Sequence, residues 1–80
     1  MHYVYLLRSI DNPEKKYCGI AADLKKRLGE HNDGKSIHTN KFKPWKLVAY
    51  IGFENREKAE AFEKYLKQGS GHAFARKHFW

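Results

Sequence analysis

The sequence predicts a small mixed α/β (α+β) domain: one sheet with helices packed on it, in the order strand, strand, helix, strand, helix, short helix. Three observations predict this. Three runs, 3–9, 16–20 and 46–53, are rich in Tyr, Val, Ile and Leu and have strand composition. Two segments, following Asp23 and Asn55, carry a helix cap and apolar residues at helical spacing. The chain has 80 residues, enough for one modest core, so 1–80 reads as a single domain.

The first strand is Tyr3 to Ser9, with Tyr3, Tyr5, Leu7 and Ser9 on one face and Val4 and Leu6 on the other. Asp11-Asn12-Pro13-Glu14 is turn chemistry, and Lys16 to Ile20 is the second strand, so the two predict an antiparallel hairpin. Asp23 caps a helix to about Asn32, with Leu24 and Leu28 inward and Asp33-Gly34 as its stop. Residues 34–43 are polar and basic and read as an ordered loop centred on His38, Thr39 and Asn40. Pro44 leads into a third strand, Lys46 to Phe53. Asn55 caps a helix to about Lys67 with Ala59, Phe62 and Leu66 inward. Gly69-Ser70-Gly71 reads as a break, followed by a short basic helix over 72–78 anchored by Phe74 and Trp80.

Composition narrows the partners. The formal net charge is +7, with lysine and arginine spread along the chain, which points to a polyanion. No apolar run approaches the roughly 20 residues that span a bilayer, so no membrane partner is expected. The first strand begins almost at Met1, leaving no room for a signal peptide. Cys18 is the one cysteine, which excludes an intrachain disulfide and a zinc cluster and suits a reducing cytoplasmic setting. Beside Tyr17 on a strand, it reads as a small buried apolar residue. A monomer without a small-molecule cofactor is expected.

The residues with chemistry to offer are few. Tyr5 and Tyr17 lie on the two hairpin strands, just upstream of a helix on which Arg27 and His31, four apart, share a face. Glu63 sits at the border of the buried stripe on the later helix, whereas Glu57 and Glu60 fit its exposed face. A phenol, a guanidinium, an imidazole and a carboxylate together can hold a phosphodiester, a water and a metal ion. Each also has a plain structural reading: sheet packing for Tyr3 and Tyr5, a solvated basic edge for Arg27, an ion pair for Glu63. Phe42, Trp45 and Trp80 read either as core or as platforms on which bases stack.

In this order the residues resemble the GIY-YIG nuclease superfamily in a small stand-alone form. Tyr3-Val4-Tyr5 stands at the GIY motif and Tyr17-Cys18-Gly19 at the YIG motif. Arg27 and His31 stand at the arginine and histidine of the following helix, and Glu63 at the metal-binding glutamate. Tyr50-Ile51-Gly52 spells YIG literally but is a decoy: ten residues on stands Glu60, where the motif needs arginine, and the triplet falls on the third strand. Two positions depart from the motifs, Tyr3 for glycine and Cys18 for isoleucine, and neither removes a catalytic side chain. The family's C-terminal asparagine has no counterpart in Gly69-Ser70-Gly71-His72.

The resemblance implies a central three-stranded antiparallel sheet flanked by helices, and metal-dependent hydrolysis of DNA phosphodiesters. It implies that Glu63 holds Mg2+ or Mn2+, that Arg27 donates to the phosphate, and that a tyrosine helps deprotonate water. Tyr5 assisted by His31 is the expected base, with Tyr17 orienting water or phosphate. His38, Asn40, Ser70 and His72 are the expected contacts to the nucleic-acid backbone. No targeting module accompanies the domain, so structure-selective or single-strand cleavage, of use in DNA repair or recombination, fits better than reading of a long duplex site. The alternatives are a noncatalytic nucleic-acid-binding domain that keeps the nuclease fold, and a small ribosome-associated RNA protein.

Overall fold

Two acceptor side chains start the principal helices. The computed structural model describes all residues 1–80. In it Asp23 Oδ1 accepts from Lys26 N at 3.0 Å and Asn55 Oδ1 from Lys58 N at 3.1 Å, each satisfying an otherwise unpaired first-turn amide. They launch α1 (Leu24–Asn32) and α2 (Arg56–Leu66). Gly34, at φ +79°, ends α1 as expected, because a residue with a Cβ resists that backbone conformation.

The three strands are β1 (His2–Ser9), β2 (Lys16–Ala21) and β3 (Trp45–Phe53), within a residue of the expected limits. They form one antiparallel sheet in the order β2-β1-β3. The central strand is apolar on both faces and is covered on both. Val4 and Leu6 pack on Ala59, Leu66 and Ala75 on one side. Tyr5 and Leu7 pack with Trp45 on the other, rimmed by Tyr17, Leu24, Leu28 and Phe42. A register shift between Leu6 and Leu7 leaves Val48 of β3 without a partner in β1, a β-bulge.

The last helix departs from expectation. α3 spans Gly69–His78, so Ser70 and Gly71 belong to its first turn, and the break falls earlier, over Lys67 and Gln68 with Gly69 at φ +43°. The glycine at 71 serves packing: a Cβ there would collide with the Tyr65 carbonyl oxygen. Phe74 is not the buried anchor either. Gly71 and Ala75 are the buried residues of α3, and Phe74 sits at the rim among Tyr65, His78 and Phe79.

The loop after α1 closes with a 3₁₀ turn, Asn40–Phe42. Asn32 clamps the start of β3 at both ends of one residue, its Oδ1 accepting from Trp45 N and its Nδ2 donating to Trp45 O. The Trp45 indole donates to Thr39 O at 2.8 Å and is 4% exposed, so Trp45 is core and offers no platform for a base. Ser9 Oγ donates to Phe42 O at 2.6 Å. The loop is thereby fixed against the Tyr5 face of the sheet.

Candidate active site

Tyr5, Gly19 and Tyr17 meet because β1 and β2 pair in one register. Tyr5 stands opposite Gly19, and Leu7 opposite Tyr17. The glycine leaves room for the phenol. A Cβ at 19 would lie 2.5 Å from Tyr5 Oη and 3.0 Å from Tyr17 Cε2. α1 crosses the same face and adds Arg27 and His31, four residues apart.

The Tyr5 hydroxyl is the hub. It accepts from Arg27 Nε at 3.3 Å and lies 2.9 Å from His31 Nε2. Arg27 can only donate, and in the tautomer with Nε2 unprotonated the hydroxyl hydrogen has Nε2 as its acceptor. In that tautomer the imidazole hydrogen sits on Nδ1, 2.6 Å from Thr39 Oγ1. Arg27 Nη1 donates to Glu30 Oε1 at 3.2 Å. The result is one hydrogen-bonded chain: Glu30, Arg27, Tyr5, His31, Thr39.

Burial sets the protonation of this chain. Tyr5 is 2% exposed and His31 and Thr39 are sealed, whereas Tyr17 is half-buried. Burial pushes the Tyr5 phenol up to about 12, with the Arg27 hydrogen bond opposing the rise. Burial, then the Arg27 charge, holds His31 below the usual histidine range, so it is neutral and free to accept a proton at neutral pH. Arg27 is held charged by its bonds to Tyr5 and Glu30. The Tyr17 ring packs 5.0 Å from His31 and 6.2 Å from Tyr5, on the solvent side.

Glu63 approaches β2 from the opposite face of the sheet, on α2. Its side chain is 18% exposed and Oε2 lies 2.7 Å from Lys67 Nζ, one turn on. It stands near enough to Cys18 to raise that thiol, which burial first and the Glu63 charge second bring to about 11. The half-buried Cys18 is thus a packing residue of low reactivity. Lys67 also borders a cleft that includes Tyr17, whereas Glu63 itself is not among the residues lining it. No three His, Cys, Asp or Glu side chains converge as a ready-made metal cage.

The outer residues divide. His72 is exposed and borders the Tyr17 cleft, whereas Ser70 is exposed in the first turn of α3. His38 and Asn40 are exposed and neither side chain bonds to the cluster; the residue between them, Thr39, does. Tyr50 packs edge-on against Tyr3 at 5.8 Å, yet is 55% exposed and makes no hydrogen bond to the cluster. Three participants were missed in the sequence: Thr39, Glu30 and Lys67. Glu30 and Lys67 had a signal, standing three and four residues from Arg27 and Glu63, at helix ion-pair spacing. Thr39, in an irregular loop, had none.

The chain is similar to several known proteins. A UPF0213 protein of Lactococcus lactis subsp. cremoris is 39% identical over 67 residues, 82% of this chain and 66% of that protein. A second, from Lactococcus lactis subsp. lactis, is 37% identical over 82% of this chain and 62% of its own length, so the chain spans less than two thirds of these relatives. The structure-specific endonuclease subunit SLX1 of Candida dubliniensis is 37% identical over 94% of this chain, which covers 27% of that protein. Among solved structures, a UPF0213 protein from Bacillus halodurans matches with a TM-score of 0.55 and 32% identity, over 94% of this chain and 79% of that one. The profile of the GIY-YIG catalytic domain matches residues 1–77, and with the strand order and the tyrosine pair in place this chain belongs to that family.

Proposed function

We propose that this protein is a divalent-metal-dependent DNA endonuclease that cuts structured or single-stranded DNA. The observation that carries the reading is the Tyr5 hydroxyl, held between a charged guanidinium and a neutral imidazole. Sheet packing alone has no need of such a pair.

The proton path follows from that geometry. An attacking water gives a proton to Tyr5 Oη as Tyr5 passes its own to His31 Nε2, so a full phenolate, costly at a pKa near 12, need not form. Thr39 holds the imidazole in the accepting tautomer. Tyr17, on the solvent side, orients the water or the phosphate. Arg27, whose side chain is 41% exposed, offers its outer nitrogens to the phosphate as negative charge builds.

The donor set fits a hard cation. Glu63 is a part-buried oxygen ligand already paired with a cation, the Lys67 ammonium. One carboxylate suffices for Mg2+ or Mn2+, which keeps waters and takes phosphate oxygens. When bound, such an ion polarises the phosphate and stabilises the departing oxygen. Lys67, with a side chain 50% exposed, can swing away to a phosphate.

The preference for structured DNA is supported by the similarity to a relative named as a structure-specific endonuclease subunit. The test is incubation of the pure protein with labelled single-stranded, duplex, flapped and branched DNA, with and without Mg2+ or Mn2+. Metal-dependent cleavage of the flapped, branched or single-stranded forms is expected. Tight binding without cleavage under any metal would overturn the reading in favour of a noncatalytic binding domain.

A further inference from the structure

A cleft of about 330 Å3 lies between the β2 edge and α3, next to Tyr17. Lys16, Lys67, Arg76 and His72 supply its polar wall, Tyr17 and Trp80 its aromatic one, and none of its lining residues is acidic. Lys67 is already paired with Glu63, which leaves Lys16 and Arg76 as its uncommitted cations. Trp80 is half-buried and held from its backbone: Arg8 Nη2 donates to its carbonyl at 2.9 Å, and the Arg8 guanidinium carbon is 5.8 Å from the ring. The exposed Lys16 reaches the same ring at 5.5 Å. Arg8 and Lys16 are paired in the β1–β2 register, so the hairpin itself brings both cations to this ring.

An anchored indole edged by exposed cations matches one ligand chemistry well, a planar base carrying a phosphate. The volume suits a single nucleotide, at the lower end of small-ligand clefts. A base in duplex has both faces covered by its neighbours, whereas an unpaired one has a face to give. We propose that this cleft holds an unpaired nucleotide adjacent to the scissile phosphate, its base against Trp80 and its phosphate between Lys16 and Arg76. The position relative to the scissile phosphate rests on the nuclease reading above, through the shared residue Tyr17. The cleft thereby selects DNA with a single-stranded segment at the cut.

The experiment separates the two ideas. Tryptophan emission is followed as short oligothymidine, or duplex of the same length, is added in EDTA. Trp45 is 4% exposed and contributes a steady background. Single strands are expected to quench Trp80, and duplex far less. Trp80→Leu keeps the backbone bond to Arg8; it should abolish the quench and weaken single-strand binding roughly tenfold, the scale of one lost stacking platform. Arg76→Ala, at an exposed helix position, should weaken single-strand binding several-fold with duplex affinity unchanged. Variants that bind single strands like the wild type, or that lose both affinities equally, would overturn the proposal. If the wild type cleaves with Mg2+ and both variants keep its ratio of single-strand to duplex cutting, the cleft fails and the nuclease stands. If no metal supports cleavage yet the selective quench is seen, the nuclease reading fails and the cleft stands as a strand-binding site.

Discussion

Gly19→Ala is the sharpest perturbation available at this site, because one methyl group separates packing from chemistry. The added Cβ would lie 2.5 Å from Tyr5 Oη, 2.7 Å from Tyr5 Cζ and 3.0 Å from Tyr17 Cε2. Ordinary carbon contacts are about 3.5–4.0 Å, so the phenol must withdraw by about 1 Å. Tyr5 is 2% exposed and has no free space to take. Overpacking of this kind costs about 1–3 kcal/mol, and a domain of this size loses about 4–8 °C of Tm per kcal/mol. The bonds from Tyr5 Oη to His31 and Arg27, now 2.9 and 3.3 Å, would pass the range in which they count as hydrogen bonds. A misplacement of about 1 Å costs about a hundredfold in rate. The expected result is a Tm lower by roughly 5–20 °C, single-turnover cleavage slower by about a hundredfold or more, and DNA binding retained. Gly29→Ala is the control. It sits exposed in α1 with nothing within 4 Å of its added Cβ, and should raise stability by about 0.5–1 kcal/mol with cleavage unchanged. Wild-type stability and rate in Gly19→Ala would refute the packing argument and with it the role of the Tyr5 hub.

Three other outcomes are expected. Glu63→Ala should abolish cleavage while leaving DNA binding intact or tighter, since it removes the proposed metal ligand and frees the Lys67 charge it neutralises; near wild-type cleavage in Mg2+ would sink the assignment. Arg27→Ala should slow single-turnover cleavage by roughly two to three orders of magnitude, the usual effect of one lost transition-state donor, with Arg27→Lys a poor rescue and Tyr50→Phe close to wild type. The opposite ranking of Arg27 and Tyr50 variants would move the site to β3. The third outcome concerns pH. His31 has a folded pKa below its unfolded value, so between the two the unfolded chain holds the extra proton and stability rises with pH. Stability should therefore fall as pH drops below about 6.5, and cleavage should fall as His31 itself becomes protonated. Thermal melts of wild type and His31→Gln from acidic to neutral pH check this, and an equal slope in both would show that His31 does not carry the effect.

The element order, the strand limits, both helix caps and the Gly34 stop were legible because each follows from neighbours within a turn or a pleat. Tyr5, Tyr17, Arg27 and Glu63 were singled out for a different reason: few residue types in a basic chain offer this chemistry, and their order is a motif; of these the structure brings Tyr5, Tyr17 and Arg27 together. Misreadings occurred where distant segments decide. Gly69-Ser70-Gly71 has the composition of a break, yet Gly71 lies in a helix because α3 crosses α2 against the Tyr65 carbonyl. Trp45 has the chemistry of a base platform, yet the Thr39 carbonyl and the core claim it.

The sequence by itself determined the periodicities, the caps, the charge and which side chains have chemistry to offer, all properties of residues or of short windows. Only the tertiary structure decided how those groups are wired. The β1–β2 register set Gly19 over Tyr5; the crossing of α1 brought Arg27 and His31 to one hydroxyl; the loop pinned by Asn32, Ser9 and Trp45 delivered Thr39 to the imidazole. Protonation belongs to that second class as well. A phenol near 12 and a histidine held neutral are products of burial, and burial is created by residues far apart in the chain.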